Sequence, residues 1–157
     1  MILEPGMRAP EFSLIDQFGQ SMRLERLHAA HAVALVFFPL AFSRTCQSEL
    51  AELRDNAAMF EASAAGFVAI SVDSKHTLRA WAESQAYDFP LLADFWPHGE
   101  VARAYGAFDE RSGVARRATF LVDVDGVIRA SFAAPLGEAR SLGQYRDALG
   151  SLRRGRA

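Results

Sequence analysis

The chain has 157 residues, of which 50% are hydrophobic and 23% charged, and its formal net charge is −2. This length corresponds to a single domain with one buried core, and we expect that domain to span residues 1–157. The scattered, slightly acidic charge argues against nucleic-acid binding, and the apolar segments are too short to cross a membrane.

The first predicted elements are β-strands. Residues 12–15 and 21–24 flank a turn at 16–19, which indicates a small N-terminal β-hairpin. Residues 32–38 are apolar at every position, which is typical of a strand that is covered on both faces. Pro39 ends this strand. The sequence therefore predicts that a buried central strand follows the hairpin.

Helices and strands alternate in the middle of the chain. A helix is predicted over 45–62, because apolar residues recur there at helical spacing: Cys46, Leu50, Leu53, Ala57 and Phe60. A second apolar strand over 67–72 follows it. Ser74 is then a candidate N-cap for a helix with one apolar side, formed by Leu78, Trp81, Ala82 and Gln85. A shorter helix is predicted over 98–105.

Two strands and a helix complete the chain. The strands at 118–122 and 127–132 are joined by an Asp-Gly turn at 123–126, a strong hairpin signal. The last helix has an apolar side formed by Leu142, Tyr145, Leu149 and Leu152. We expect the first βαβ unit to be right-handed and parallel and the closing hairpin to be antiparallel. The predicted class is α/β: a thioredoxin-like fold with a mixed central sheet flanked by helices and an N-terminal hairpin.

Cys46 is the candidate reactive residue, because it falls in the first turn of the helix that follows the central strand. Unpaired backbone N–H groups and the positive end of the helix dipole favour a thiolate there. The alternative is an inert, buried cysteine, which its place on the apolar side of the helix supports. Ser43, Thr45 and Ser48 nearby favour the reactive interpretation. Disulfide exchange in this fold needs a Cys-x-x-Cys pair, and Glu49 stands where the second cysteine would be, so this reaction is excluded. The remaining reactions are attack of a single thiolate on a peroxide oxygen or on an acyl or alkyl carbon.

The segment 39–46, Pro-Leu-Ala-Phe-Ser-Arg-Thr-Cys, resembles the peroxiredoxin motif Pro-x-x-x-Thr/Ser-x-x-Cys. Residues 37–42 look closest to the one-cysteine peroxiredoxins of the AhpE (alkyl hydroperoxide reductase E) group, known from actinobacteria. The segments 6–14, 89–99 and 117–123 are similar to further family sequences. The resemblance extends over about residues 6–149, which is nearly the whole chain.

This resemblance implies a role for five residues. Cys46 would attack the peroxide and become a sulfenic acid, while Ser43 hydrogen-bonds the peroxide. Arg117 would hold the thiolate and peroxide oxygens. Pro39 would shield the sulfur from water, and Glu49 would orient the arginine. The family pattern has Thr more often than Ser at position 43, so the hydroxyl is held less rigidly here.

Each of these residues also has a purely structural interpretation. Pro39 can simply end the strand, and Ser43 can be only an N-cap. Arg116 and Arg117 are adjacent, so only one of them faces the site, and the match to Arg-x-Thr-Phe selects Arg117. Glu49 can be a solvated helix residue.

The resemblance also implies the partners. The substrate would be hydrogen peroxide, an organic hydroperoxide or peroxynitrite. The chain has one cysteine, so the reductant would be external: mycothiol with a mycoredoxin, or thioredoxin. We expect a homodimer, with Phe42, Phe95 and Trp96 either in its interface or in the core.

The remaining expectations concern cofactors, location and an alternative function. We expect no cofactor, and no metal site, because His28 and His31 have ligand-like spacing without a third ligand near them. The N-terminal residues lack a signal-peptide pattern and one cysteine cannot form an internal disulfide, so we expect a cytoplasmic protein. The alternative function is a redox sensor or a partner-binding module in which Cys46 is oxidised without turnover.

Overall fold

The computed structural model describes residues 1–154; the last three residues of the predicted domain lie outside that range. Its strands are β1 (Ser13–Ile15), β2 (Ser21–Arg23), β3 (Ala32–Phe37), β4 (Ala65–Ser71), β5 (Leu91–Ala93), β6 (Phe108–Asp109), β7 (Val114–Ala115), β8 (Arg117–Val122) and β9 (Ile128–Ala134). Its helices are α1 (Leu24–Leu27), α2 (Arg44–Asp55), α3 (Ala57–Ala62), α4 (Lys75–Gln85), α5 (Glu100–Ala104) and α6 (Leu142–Arg154).

Seven strands form one mixed sheet in the order β2-β1-β5-β4-β3-β8-β9. β3 and β4 are parallel, as predicted for the first βαβ unit, and β5 is parallel to β4. β8 pairs antiparallel with both β3 and β9, which confirms the closing hairpin. The predicted N-terminal hairpin is β1 and β2, and it joins the sheet edge through β5. The predicted fold class is therefore confirmed.

The central strand is buried on both faces, as its continuous apolar sequence predicted. One face packs in a core with α2, α3, α4 and α6, to which β3 contributes Ala32, Ala34 and Val36. The opposite face packs in a second core with α1 and α5, to which β3 contributes Val33, Leu35 and Phe37. Trp81 and Tyr145, which the helical spacing placed inward, are both in the first core.

The predicted helix over 45–62 is wrong as a single element, because it is two helices divided at Asn56. Asn56 leaves the helical region with φ −117° and ψ 24°, and its side chain donates to Glu52 O at 2.8 Å. The apolar spacing continues through the break, so periodicity alone did not reveal it. Asparagine is prone to such local hydrogen bonds, which compete with the helix.

The structure also contains elements that the sequence did not predict. These elements are the three-residue strand β5, the four-residue helix α1 and the two-stranded sheet of β6 and β7. Segments of two to four residues are too short to show a repeating hydrophobic pattern, so periodicity does not detect them. The one with consequences for the fold is β5, because it connects the hairpin to the rest of the sheet.

The three tyrosines provide a test of the core. Burial raises the pKa of Tyr87 to about 12, and it also raises the pKa values of Tyr105 and Tyr145. At pH 10, where a free tyrosine is about half ionised, we expect the folded protein to show little tyrosinate absorbance. Unfolding in guanidinium at the same pH should return the pKa values of all three tyrosines to about 10, so the tyrosinate absorbance should rise. Since the unfolded chain loses these protons first, stability should decline above about pH 10. Half-maximal absorbance of the folded protein at pH 10 would contradict this burial.

Candidate active site

The loop between β3 and α2 carries the motif that was singled out in the sequence. Pro39 is buried immediately after the strand, and Phe42 is exposed with φ +67°, a conformation that costs a non-glycine residue about 1–3 kcal/mol. Ser43 is extended and occupies the N-cap position of α2. Its hydroxyl donates to Leu40 O at 3.0 Å instead of turning to the first N–H groups of the helix. The loop is therefore a closed turn that ends at Ser43.

Cys46 lies in the first turn of α2, as predicted, and its exposed fraction is 0%. It belongs to the same core as Phe38 and Trp81. Burial by itself matches both interpretations of the sequence, because an inert core cysteine would be placed in the same way. A polar cluster begins one helical turn further on, at Glu49.

That polar cluster is a buried ion network of two arginines and one glutamate. Glu49 Oε1 accepts from Arg117 Nη1 at 3.1 Å and from Arg140 Nη2 at 2.6 Å. Glu49 Oε2 accepts from the Arg140 backbone N–H at 2.6 Å and from Arg140 Nε at 2.9 Å. The side chains of Arg117, Glu49 and Arg140 are 2%, 1% and 0% exposed. Glu49 is thus not a solvated helix residue.

The network extends into the core through hydroxyl groups. Arg140 Nη1 donates to Thr119 Oγ1 at 3.1 Å, and that oxygen lies 3.0 Å from Tyr145 Oη. Arg117 Nε donates to Leu136 O at 2.6 Å, in the loop after β9. Both guanidinium groups are thereby fixed by partners on more than one side.

The pKa directions describe an ionised cluster. Burial alone would raise the pKa of Glu49, but the hydrogen bonds and charge of Arg140 and the charge of Arg117 hold it below its ordinary value. Burial alone would lower the pKa of Arg140, but the negative charges of Tyr145, Glu49 and Cys46 in their ionised forms raise it. The contact between Glu49 and Arg140 thus keeps both groups charged in spite of their burial.

The structure places the predicted residues in two groups. Glu49 of α2 and Arg117 of β8 are in contact, and Cys46 lies one helical turn before Glu49, while Pro39 and Ser43 lie in the loop that leads into α2. Of the two adjacent arginines, Arg117 is the buried one and Arg116 is only half-buried, which agrees with their opposite directions on a strand.

Arg140, the most buried residue of the network, was not among the predicted site residues. It stands two residues before α6, at the positive end of a helix dipole, where a cation is unfavourable without an acidic partner. An arginine at this position therefore indicates that an acidic partner lies nearby. The sequence does not show which residue that partner is, because Glu49 is 91 residues away along the chain.

The described part of the chain gives three further observations. Within residues 1–154, no group of three or more His, Cys, Asp or Glu side chains is arranged to hold a metal ion. None of the helices over the same range has both the length and the apolar character needed to cross a membrane. Phe42, Phe95 and Trp96 are 53%, 53% and 82% exposed, so the interpretation of these aromatic residues as core is wrong.

Comparison with known proteins finds one matching family and relatives with peroxide-reducing names. The model of the AhpC/TSA family matches residues 5–131. The chain is 46% identical over 151 residues to alkyl hydroperoxide reductase E of Mycobacterium tuberculosis, covering 96% of this chain and 99% of that protein. It is 34% identical over 139 residues to peroxiredoxin TSA2 of Saccharomyces cerevisiae, covering 82% of this chain and 69% of that one.

Solved structures agree with these sequence relatives. The crystal structure of peroxidoxin BcpB from Mycobacterium tuberculosis is similar with a TM-score of 0.85 and 29% identity, covering 99% of both chains. The reduced 2-Cys peroxiredoxin of Plasmodium vivax has a TM-score of 0.87 at 22% identity, covering 98% of this chain and 84% of that one, and supports the fold alone.

The fold, the single cysteine and these relatives define a peroxidase of the peroxiredoxin class, which is an oxidoreductase. More specifically, the chain belongs to the AhpC/TSA family, and its one cysteine fits the one-cysteine type.

Proposed function

We propose that the chain reduces peroxides through a sulfenic acid at Cys46 and is regenerated by an external thiol. The observation that supports this is the charge balance of the buried network. Arg117 and Arg140 contribute two positive charges and Glu49 contributes one negative charge, so the network alone has an excess of one positive charge. An unbalanced buried charge costs several kcal/mol. An anion formed at Cys46, one helical turn before Glu49 on α2, would balance this charge.

The oxidative step is a displacement at oxygen. The Cys46 thiolate attacks one peroxide oxygen, a sulfur–oxygen bond forms and the O–O bond breaks. The attacked oxygen keeps its hydrogen and becomes the hydroxyl of the Cys46 sulfenic acid. The other oxygen leaves as an alkoxide or hydroxide, which is protonated from solvent, or in nitrite when the substrate is peroxynitrous acid. Negative charge moves from sulfur to the leaving oxygen, so hydrogen-bond donors aligned along that path lower the barrier.

The proposed roles follow from the positions of the side chains. Arg117 supplies donors to the sulfur and to the peroxide, and Glu49 holds its guanidinium in place. Ser43 turns its hydroxyl from Leu40 O to the peroxide when substrate is bound. Pro39 excludes water from the sulfur. Since the sulfur is fully buried, the loop or the first turn of α2 has to move for a peroxide to reach it.

Regeneration requires thiols from outside the chain. A first thiol attacks the sulfenic sulfur, releases water and forms a mixed disulfide with Cys46. A second thiol then releases Cys46 and leaves as a disulfide with the first. Mycothiol with a mycoredoxin, or thioredoxin, supplies these thiols, and the proposed substrates are hydrogen peroxide, organic hydroperoxides and peroxynitrite. We propose a cytoplasmic location, where such thiols are kept reduced.

The experiment that tests this function is rapid mixing of the reduced protein with limiting peroxide. We expect loss of one thiol per chain, capture of the product by a sulfenic-acid reagent, and repeated turnover when a thiol reductant is supplied. Cys46→Ser is the control that removes all of these signals. A single stoichiometric oxidation without turnover in any thiol system would indicate a redox sensor. No reaction with any of the three peroxide types would refute the proposal.

We also propose that the chain is a homodimer whose interface includes exposed aromatic side chains. Phe95 and Trp96 line an apolar groove together with Ile15, and exposed apolar surface of this kind marks interaction sites. Replacing Trp96 with arginine should convert a dimer into a monomer in sedimentation experiments. Glu138→Arg, at another exposed position, is the matched control and should leave the mass unchanged. A Trp96→Arg protein that sediments like the parent would contradict this interface.

A further inference from the structure

The loop that carries Ser43 is attached to the neighbouring strand by one carboxylate. Asp73 Oδ2 accepts the Ala41 backbone N–H at 2.8 Å. Ala41 lies in the middle of the closed turn that the Ser43 hydroxyl makes with Leu40 O. The Asp73 carboxylate therefore holds that turn from outside, 32 residues away along the chain.

The sheet fixes the position of this carboxylate. β3 and β4 are parallel with Phe37 opposite Ile70, so the two loops leave the same edge of the sheet. The Phe38 N–H donates to Ile70 O at 3.0 Å and continues the pairing by one residue. Asp73 follows two residues after the end of β4, so the short segment after the strand places its side chain beside the loop.

The Asp73 side chain is itself locked by Ser71. The Ser71 hydroxyl donates to Asp73 Oδ2 at 2.6 Å and accepts the Asp73 backbone N–H at 3.2 Å. Ser71 is fully buried, so these bonds are sheltered from water. One carboxylate oxygen thus receives two donors, one from the end of β4 and one from the loop.

This attachment matters because the loop is strained. Phe42 stands next to Ala41 in the left-handed region, and such conformations persist only where the surroundings fix them. The Phe42 ring, 6.2 Å from that of Trp81, supports the loop on one side. The bond from Ala41 to Asp73 supports it on the other.

We propose that Asp73 is a positioning residue for peroxide reduction. It holds the 39–43 turn so that the Ser43 hydroxyl and the Cys46 sulfur can contact the same peroxide molecule. This inference rests on the proposed function. Asp73 touches neither the sulfur nor the peroxide. It acts through the Ala41 N–H on the direction of the Ser43 hydroxyl.

The test compares two reactions of Cys46 in the same variants. Peroxide reduction needs Ser43 in place, whereas alkylation by iodoacetamide, in which sulfur displaces iodide from carbon, does not. Asp73→Ala should lower the peroxide rate constant about 100-fold, the effect expected for a misplacement near 1 Å, with alkylation no slower than in the parent. Asp73→Asn should restore the rate to within about threefold, because its carbonyl oxygen still accepts from Ala41 and Ser71.

The controls separate the possible failures. Asp147→Ala, an exposed aspartate of α6, should leave both rates unchanged. If Asp73→Ala does not fold, Ser71→Ala tests the same lock and should slow peroxide reduction alone. A peroxide rate within about threefold of the parent in the folded variant, or equal slowing of both reactions, would overturn the inference. A parent protein that does not react with peroxide would instead refute the proposed function.

Discussion

Replacing Arg117 with alanine should lower the rate constant of Cys46 oxidation by peroxide about 100- to 1000-fold, the usual cost of losing one donor to developing charge. The side chain is 2% exposed, and its other partners, Glu49 and Leu136 O, leave the guanidinium in a fixed orientation. Its loss also removes one of the two positive charges of the buried network. The measurement is stopped-flow oxidation of the reduced protein at several peroxide concentrations.

Arg116→Ala is the matched control for this prediction. Arg116 is adjacent in sequence and only half-buried, so its removal should leave the rate within about threefold of the parent. Arg117→Lys retains the positive charge but not the planar set of donors, and it should recover only part of the rate. An Arg117→Ala protein within about threefold of the parent would contradict the electrostatic account of the site.

The sequence predicted the part of the site that depends on local pattern. The apolar spacing of α2 placed Cys46 inward, but it left Glu49 off the apolar side, and only the resemblance to peroxiredoxins gave Glu49 a role. The alternation of side chains along β8 limited the choice to one of two arginines, and the motif selected Arg117. The inward position of Cys46 and the opposite directions of the two arginines need only the geometry of one element each, whereas the choice of Arg117 rests on the family resemblance.

The missing part depends on contacts between distant segments. Arg140 reaches Glu49 from a loop after the last strand, and Asp73 reaches Ala41 from the neighbouring strand. Neither contact leaves a periodic signal, because each rests on the strand order of the sheet and on loop conformation. Full burial of Cys46 was equally beyond the sequence, since the helical pattern shows which side faces inward but not how completely it is covered.

Replacing Glu49 with alanine should destabilise the fold by about 3–5 kcal/mol, the usual cost of removing one partner from a buried ion network. The variant leaves Arg117 and Arg140 buried without their shared carboxylate, and it removes all four of the hydrogen bonds that Glu49 accepts. Glu52→Ala is the matched control, because Glu52 is an exposed residue of the same helix, and it should cost no more than about 0.5 kcal/mol. Urea unfolding of the reduced proteins measures both values.

The pH dependence of stability gives an independent check on the same residue. The folded pKa of Glu49 lies below its ordinary value of 4.5, so its stabilising effect is complete above that pH and is lost as the pH falls through the folded value. The free energy of unfolding of the parent should therefore decline steeply in acid, while Glu49→Gln, which cannot ionise, should start lower and decline less. A Glu49→Gln protein with the same acid profile as the parent would show that Glu49 is not ionised. The network would then have two uncompensated positive charges instead of one, and the charge balance with a single anion at Cys46 would no longer hold.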